Sequence, residues 1–378
     1  CHMFEVYKAA RSTIRAVHEY VPNKPPDSIM KEMGIEHFVD LATNENPYGI
    51  SPLAYKAILR ESKSSLNHYP ESTCFELRKK LSEIHCLSPD CFIVDNGLDS
   101  IIRLIGLTFL DAGDEIIIGS STFSAYETTA KIMGAKVNKI PLTEDYRLNI
   151  DLMISACNRN TKAIFICNPN NPTGTIITKS EFIKLMEKIS PSILVISDEA
   201  FYEFSDSPDF PQTIPFLSEY PNLIILRSFS KTMGLAGLRI GYAISSEEII
   251  RMMMRVREPF PVNRLAQVAA MATLDDKDFI QQTLEINRDS RVKMAKAMQL
   301  LRLKCIPGQT NFIFVDLGQP VEPIWNALFS KGIIVRRLDG MNLPTGIRIC
   351  LGKQKDLQFA LNGLAEILGA PAPLIFDL

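Results

Sequence analysis

Four polar clusters, each directly after a short apolar run, gather most of the reactive side chains. Asn96-Gly97-Leu98-Asp99 follows Phe92-Ile93-Val94, and Asn168-Pro169-Asn170-Asn171-Pro172-Thr173-Gly174 follows Ala163 to Cys167. Asp198-Glu199-Ala200-Phe201 follows Ile193 to Ser197, and Ser228-Phe229-Ser230-Lys231 follows Leu223 to Arg227. Unalternated apolar runs bounded by polar residues suit strands buried on both faces. In an open parallel sheet the carboxyl ends of the strands share one edge, where ligands bind. The clusters are therefore expected to converge on one site.

Their chemistry is complementary. A buried lysine with a lowered pKa condenses with an aldehyde to form a Schiff base. An aspartate facing a pyridine nitrogen keeps it protonated, so that the ring accepts electrons from a carbanion. A glycine before a helix lets backbone N–H groups approach a phosphate, which the helix dipole also favours. An arginine closes such a site with paired hydrogen bonds, and Arg239 lies eight residues beyond Lys231, across Gly234-Leu235-Ala236-Gly237. Each feature alone has a plainer use: Asp198 as a helix cap, Asn-Pro as a turn, the serines as caps.

The elements that must carry these clusters are legible too. Further apolar runs lie at Ile116-Ile117-Ile118 and Ile240 to Ile244, and helical patterns at Leu98–Leu110 and Ser180–Lys188. Alternating strand and helix implies a parallel sheet covered on both sides. After about residue 247 the pattern becomes helical to Leu303, with Ile286, Ser290, Met294, Ala297 and Leu301 on one face. Then come a strand (Phe312 to Val315), a helix (Val321 to Phe329), a strand (Ile333 to Arg336), a strand near Arg348, and a last helix striped by Leu357, Leu361, Leu364 and Leu368. The expected division is an N-terminal arm over residues 1–45 packing with the small domain, a large domain over 46–258, and a small α/β domain over 259–378.

Composition excludes several classes. The chain has 378 residues, is 46% hydrophobic and 22% charged, and has a net charge of −2. That suits two globular domains, not a disordered chain or a basic nucleic-acid binder. No apolar stretch approaches a membrane span, and the N-terminus lacks a signal-peptide pattern; Cys1-His2-Met3 reads as an expression scar. Eight cysteines without a CxxC imply reduced thiols in a cytoplasmic protein. His85-Cys86 with Asp90-Cys91 matches no common zinc spacing, so no metal is expected.

The run Ser228 to Tyr242, SFSKTMGLAGLRIGY, resembles the lysine segment of fold-type-I pyridoxal-phosphate aminotransferases, above all the histidinol-phosphate aminotransferases. Leu41 to Pro47 (LATNENP), Tyr69-Pro70, the Asn168–Gly174 loop, Asp198-Glu199-Ala200, Pro259-Phe260 with Val262-Asn263, Gly332 to Arg336, and Leu343-Pro344 with Arg348-Ile349 agree, as does Tyr20-Val21-Pro22 with Lys24-Pro25 in the arm. The likeness spans residues 14 to 368. It implies an aspartate-aminotransferase-like α/β fold: a large cofactor-binding domain with a mostly parallel central sheet flanked by helices, a smaller C-terminal α/β domain, and an N-terminal arm.

The resemblance also implies roles. Lys231 would hold pyridoxal 5′-phosphate as a Schiff base and move the substrate's proton, Asp198 would pair with the pyridine nitrogen, and Asn171 would bond the phenolic oxygen. Gly97, Leu98, Asp99, Ser228, Ser230 and Arg239 would hold the phosphate, joined by Tyr69 from the neighbouring subunit, and Phe123 would stack on the ring. Arg348 and Arg336 would bind substrate anions, with Tyr20, Asn46 and Asn311 completing the substrate wall. The activity implied is amino transfer between histidinol phosphate/imidazole-acetol phosphate and glutamate/2-oxoglutarate, in histidine biosynthesis, by a cytoplasmic homodimer with shared sites and no nucleic-acid or membrane partner.

Departures keep alternatives open. Phe201 stands where the family has a tyrosine that donates to the cofactor phenolate. The next residue, Tyr202, on an extended segment would point to the other face. The same phenylalanine occurs in the similar threonine-phosphate decarboxylases. Asp95 stands for a usual glycine, Ser100 for glutamate, His68 for arginine, Pro261 for asparagine, and Arg337 for proline. Arg337 would add charge beside Arg336 and alter anion preference. The rivals are an aromatic amino-acid aminotransferase, the decarboxylase, and a non-catalytic module on the same scaffold.

Overall fold

The structure, a computed structural model, describes residues 6–22, 25 and 27–376. Cys1-His2-Met3, Lys24 and Pro26 lie outside these. A three-residue strand, β1 (Val39–Leu41), leaves the arm. The next seven are β2 (Phe92–Asp95), β3 (Glu115–Gly119), β4 (Lys136–Ile140), β5 (Thr161–Cys167), β6 (Leu194–Asp198), β7 (Leu223–Ser228) and β8 (Gly241–Ile244). They form one sheet in the order β2-β8-β7-β6-β5-β3-β4. Only β8 runs antiparallel to its neighbours, β2 and β7; the remaining pairs are parallel.

The apolar runs become central strands because both of their faces are covered. Ile225, Val195 and Ile164 feed one core, while their chain neighbours Ile224, Ile196 and Phe165 feed a second core on the opposite face. Period-two side-chain direction turns a continuous apolar run into two interiors. The edge strand β4 reads Lys-Val-Asn-Lys-Ile and has no such run, because one of its edges is unpaired.

The smaller sheet combines β1 with β9 (Lys304–Ile306), β10 (Phe312–Asp316), β11 (Ile333–Arg337) and β12 (Gly346–Cys350), in the order β1-β11-β12-β10-β9. Val39 to Leu41 pair in parallel with Ile333 to Val335, which ties the arm to this sheet. Met294, Ala297, Leu301, Leu357, Leu361 and Leu364 share its core. The helix Arg264–Asp275 does not join this unit, although the division at residue 258 placed it there. Ala266, Ala269 and Ala270 bring it against the larger core beside Pro52–Ser62, since small residues let two helices approach closely.

Candidate active site

At the carboxyl edge of the larger sheet lies an open cleft of about 960 Å³. All four polar clusters reach it: Leu98 and Asp99 after β2, Asn171 after β5, Asp198 at the end of β6, and Ser228 at the end of β7 with Ser230 and Lys231 beyond it. Phe123 and Arg239 complete the wall. Four separate sequence positions thus meet because four parallel strands end together.

One end of the cleft is built for an anion. Gly97 precedes the helix Leu98–Phe109 at φ 80°, and no side chain caps that helix. The positive φ favours glycine, and a Cβ at Gly97 would lie 2.7 Å from Arg239 Nη2, so any side chain here would displace that guanidinium. Helix-start N–H groups and a guanidinium therefore flank one small space. Arg239 is held by its own Nη1, which donates to the Ala236 carbonyl at 3.1 Å. Beside it the Ser230 N–H donates to Ser228 Oγ at 3.0 Å, fixing both buried serines.

The same lining holds Asp198, 2% exposed. Burial pushes its carboxyl up to about 6, while hydrogen bonds from Tyr126 and the Ala200 N–H pull against that rise. Tyr126 Oη donates at 2.5 Å and Ala200 N–H at 3.1 Å. The Tyr126 ring is fully buried, stacked on Phe165 with centroids 4.7 Å apart and edge-on to Phe123 at 5.6 Å. Burial and the neighbouring carboxylate push its hydroxyl well above the usual range, so it stays a donor.

Lys231 lines the same cleft. Burial lowers its ammonium to about 8, and the positive charges of Arg348 and Arg239 push the same way. A usable fraction of free amine at neutral pH follows. The Phe201 ring lies beneath it, 5.5 Å from Nζ to centroid, and packs edge-on against Phe312 at 5.3 Å. Tyr202 is not on an extended segment: it opens a 3₁₀ turn over Tyr202–Phe204. Its ring lies under the Arg227 guanidinium at 3.7 Å, and Arg227 is paired with Glu199 at 3.0 Å. The hydroxyl missing at Phe201 is thus not supplied by its neighbour.

Arg348, on β12, is buried with no carboxylate partner among the described residues. Its Nη1 donates to Asn171 Oδ1 at 2.6 Å and its Nη2 to the Ala42 carbonyl at 2.5 Å. Its Nε has no hydrogen-bond partner among the described residues. A buried cation left short of hydrogen bonds is costly unless an anion completes it. Arg336 is its cross-strand partner in register. Arg337, expected to add charge beside Arg336, is not among the residues lining the cleft. Successive strand residues face opposite ways, and Arg337 is clamped by Asp339 at 2.8 and 2.5 Å.

The sequence profile described as aminotransferase class I and II matches residues 36–364. The chain belongs to this family. It is 40% identical over 358 residues to a histidinol-phosphate aminotransferase of Caldicellulosiruptor saccharolyticus, covering 95% of this chain and 99% of that protein. Among solved structures, it resembles the histidinol-phosphate aminotransferase of Clostridium acetobutylicum (TM-score 0.79, 26% identity, 88% of this chain and 99% of that one). The fold also matches that of the Sinorhizobium meliloti histidinol-phosphate aminotransferase, solved with pyridoxal 5′-phosphate (TM-score 0.87, 23% identity, 96% and 99% covered).

Class I and II aminotransferases use pyridoxal 5′-phosphate, and the cleft fits it. The Gly97–Arg239 cradle suits the phosphate, the Asp198 carboxylate suits a protonated ring nitrogen, and the amine of Lys231 suits the aldehyde. Not every expected residue lies in this chain's cleft. Asn46 and Asn311 line a smaller space of about 280 Å³ on another side of Lys231. There Asn46 Nδ2 donates to the Thr232 carbonyl at 3.0 Å, and Asn311 keeps a buried Oδ1 without a partner. Tyr20 is 71% exposed, yet close enough to act on the Arg348 charge. Tyr69 is 77% exposed, stacked on Phe260 at 4.7 Å. The sequence reading missed Tyr126, three residues beyond Phe123 on the same side of a helix start, and Glu45, which lines the cleft and favours the charged form of Lys231.

Proposed function

We propose that the chain transfers an amino group between histidinol phosphate/imidazole-acetol phosphate and glutamate/2-oxoglutarate, using pyridoxal 5′-phosphate. The observation that carries this reading is the single cleft lined by Lys231, Asp198, Asn171 and Arg239, with the underbonded guanidinium of Arg348 tied to Asn171. The near-end-to-end likeness to histidinol-phosphate aminotransferases supports the substrate. When bound, the cofactor supplies an aldehyde carbon for the substrate amine and a ring that stabilises charge left when the Cα proton departs.

The chain's own residues do the rest. Gly97, Leu98, Asp99, Ser228, Ser230 and Arg239 hold the phosphate by N–H, hydroxyl and guanidinium donors. The Asp198 carboxylate keeps a proton on the ring nitrogen, and Phe123 offers a π face. The Lys231 amine would anchor the cofactor at its aldehyde carbon, and Nζ would take up the proton from the substrate Cα. Arg348, with Arg336 beside it, receives an anionic group; a planar guanidinium serves a carboxylate or a phosphate alike, as two substrates alternating in one site require. Tyr20, Asn46 and Asn311 belong to the surrounding wall.

Tyr69 lies outside its own chain's cleft and is exposed, which supports a homodimer in which it reaches the other subunit's cofactor phosphate. The division into arm, cofactor-binding domain and small domain, and a cytoplasmic setting, belong to the same proposal. No helix of the described residues is long and apolar enough to cross a membrane. The test is a half-reaction panel with histidinol phosphate, phenylalanine and threonine phosphate, following the cofactor's absorbance and CO2. Fastest conversion of histidinol phosphate without CO2 is expected. Preference for phenylalanine, or CO2 from threonine phosphate, overturns the substrate assignment.

A further inference from the structure

The departure at Asp95 leads to a buried ion pair behind the phosphate cradle. Asp95 ends β2, two residues before Gly97. Its Oδ2 lies 3.2 Å from Arg257 Nε, and both side chains are 2% exposed. The other carboxylate oxygen accepts from the Asn96 N–H at 2.7 Å and from Ser100 Oγ at 2.5 Å. Its backbone carbonyl takes the Gly97 N–H at 2.8 Å. One residue thus fixes the loop before the helix and the first turn of the helix itself.

Arg257 extends the frame in the other direction. Its Nη2 donates to the Val94 carbonyl at 2.8 Å and its Nη1 to the Ser72 carbonyl at 2.7 Å. Ser72 Oγ in turn donates to the Pro259 carbonyl. The stretch that follows Arg257 grips the segment that bears Tyr69. Phe260 stacks on the Tyr69 ring, and Arg264 Nη1 donates to the Tyr69 carbonyl at 3.0 Å. One guanidinium–carboxylate contact therefore joins this chain's phosphate loop to the segment that would serve a neighbour's phosphate.

We infer that Asp95 and Arg257 are positioning residues for cofactor phosphate, holding the Asn96–Asp99 loop and the Tyr69 segment in one rigid frame. The inference rests on the cofactor reading above. Neither side chain lines the cleft, so the pair acts through the backbone it holds. Arg257 Nε donates to the Val94 carbonyl at 3.1 Å while facing Asp95 Oδ2, and a buried charge pair tied in this way to the surrounding backbone rigidifies what it touches.

The test compares pyridoxal 5′-phosphate with pyridoxal, which lacks the phosphate, by absorbance titration of cofactor-free protein. Asp95→Asn keeps the size and removes the charge. It should weaken pyridoxal 5′-phosphate on the order of tenfold, the scale for a group that orients ligand-binding atoms without touching the ligand, and leave pyridoxal unchanged. Ser100→Ala removes a half-buried hydroxyl that the fold can spare, and should weaken pyridoxal 5′-phosphate about fivefold, again with no change for pyridoxal. The double variant Asp95→Gly, Ser100→Glu returns a carboxylate to the same space and should recover most of the lost affinity. Equal weakening of both ligands, or no weakening in Ser100→Ala, overturns the inference; if Asp95→Asn does not fold, the other two variants decide it. Parent protein that binds no pyridoxal 5′-phosphate would instead overturn the cofactor reading.

Discussion

Replacing Tyr126 with phenylalanine removes one hydroxyl from a fully buried ring and leaves its stack on Phe165 intact. That hydroxyl is one of two donors to the Asp198 carboxylate, at 2.5 Å. A hydrogen bond to a charged group contributes about 1.5–3 kcal/mol, and 1.36 kcal/mol equals one pKa unit. The bond favours the ionised carboxylate, so its loss raises the pKa. The Asp198 value therefore climbs from about 6 by about 1–2 units. At pH 7 the carboxylate falls from about nine-tenths ionised to half or less. Only the ionised form pairs with a protonated ring nitrogen, so the acid-side loss of cofactor affinity should move to higher pH by the same 1–2 units. Cofactor dissociation constants measured from pH 5 to 9 read this directly, with parent and Tyr126→Phe converging near pH 9. An acid limb unmoved by the substitution would refute the assignment of Tyr126 as the group that keeps Asp198 ionised.

Other outcomes follow from the same geometry. Phe201→Tyr puts a hydroxyl close to Lys231 and, in the proposed binding mode, would offer a donor to the phenolic oxygen assigned to Asn171. The pH midpoint of the bound cofactor's absorbance should drop by up to about 2 units, because a new donor to a phenolate stabilises it; an unchanged midpoint would mean the hydroxyl points elsewhere. Arg348→Ala should raise KM for both amino donors by about 30-fold or more, as the loss of a buried anion partner costs 2–5 kcal/mol. Arg337→Ala should leave both KM values within about twofold, since its guanidinium is spent on Asp339 and exposed pairs contribute little; steady-state kinetics on the two variants separates the adjacent arginines.

The site was legible because its residues end four buried strands. Apolar runs such as Leu223–Leu226 stand out when both faces of a strand are covered, and the polar residue that follows each run must emerge at the shared edge. What escaped the sequence depends on partners far away in the chain. Tyr126 meets Asp198 across 72 residues, and nothing in Ser-Thr-Phe-Ser-Ala-Tyr says that this hydroxyl finds a carboxylate. β4 escaped because an edge strand needs no continuous apolar run. β1 escaped because three residues carry no period; only its pairing with β11 defines it.

Two other differences have local causes. Arg337 was read by its charge, whereas strand alternation decides where that charge goes. Tyr202 does point away from the cleft, but a 3₁₀ turn and the Arg227 guanidinium set its direction, not an extended backbone. Asn46 and Asn311 line a smaller space that shares Lys231 with the main cleft, a distinction that motif position alone does not make.

In the proposed binding mode the amine at position 231 and the carboxylate at position 198 meet opposite ends of one pyridoxal ring. Reducing the cofactor-loaded protein with borohydride and mapping its peptides tests the amine end most directly. A cofactor-sized mass addition on Lys231, absent from Lys231→Ala, is the predicted result. The same label on another lysine, or on none, would contradict it.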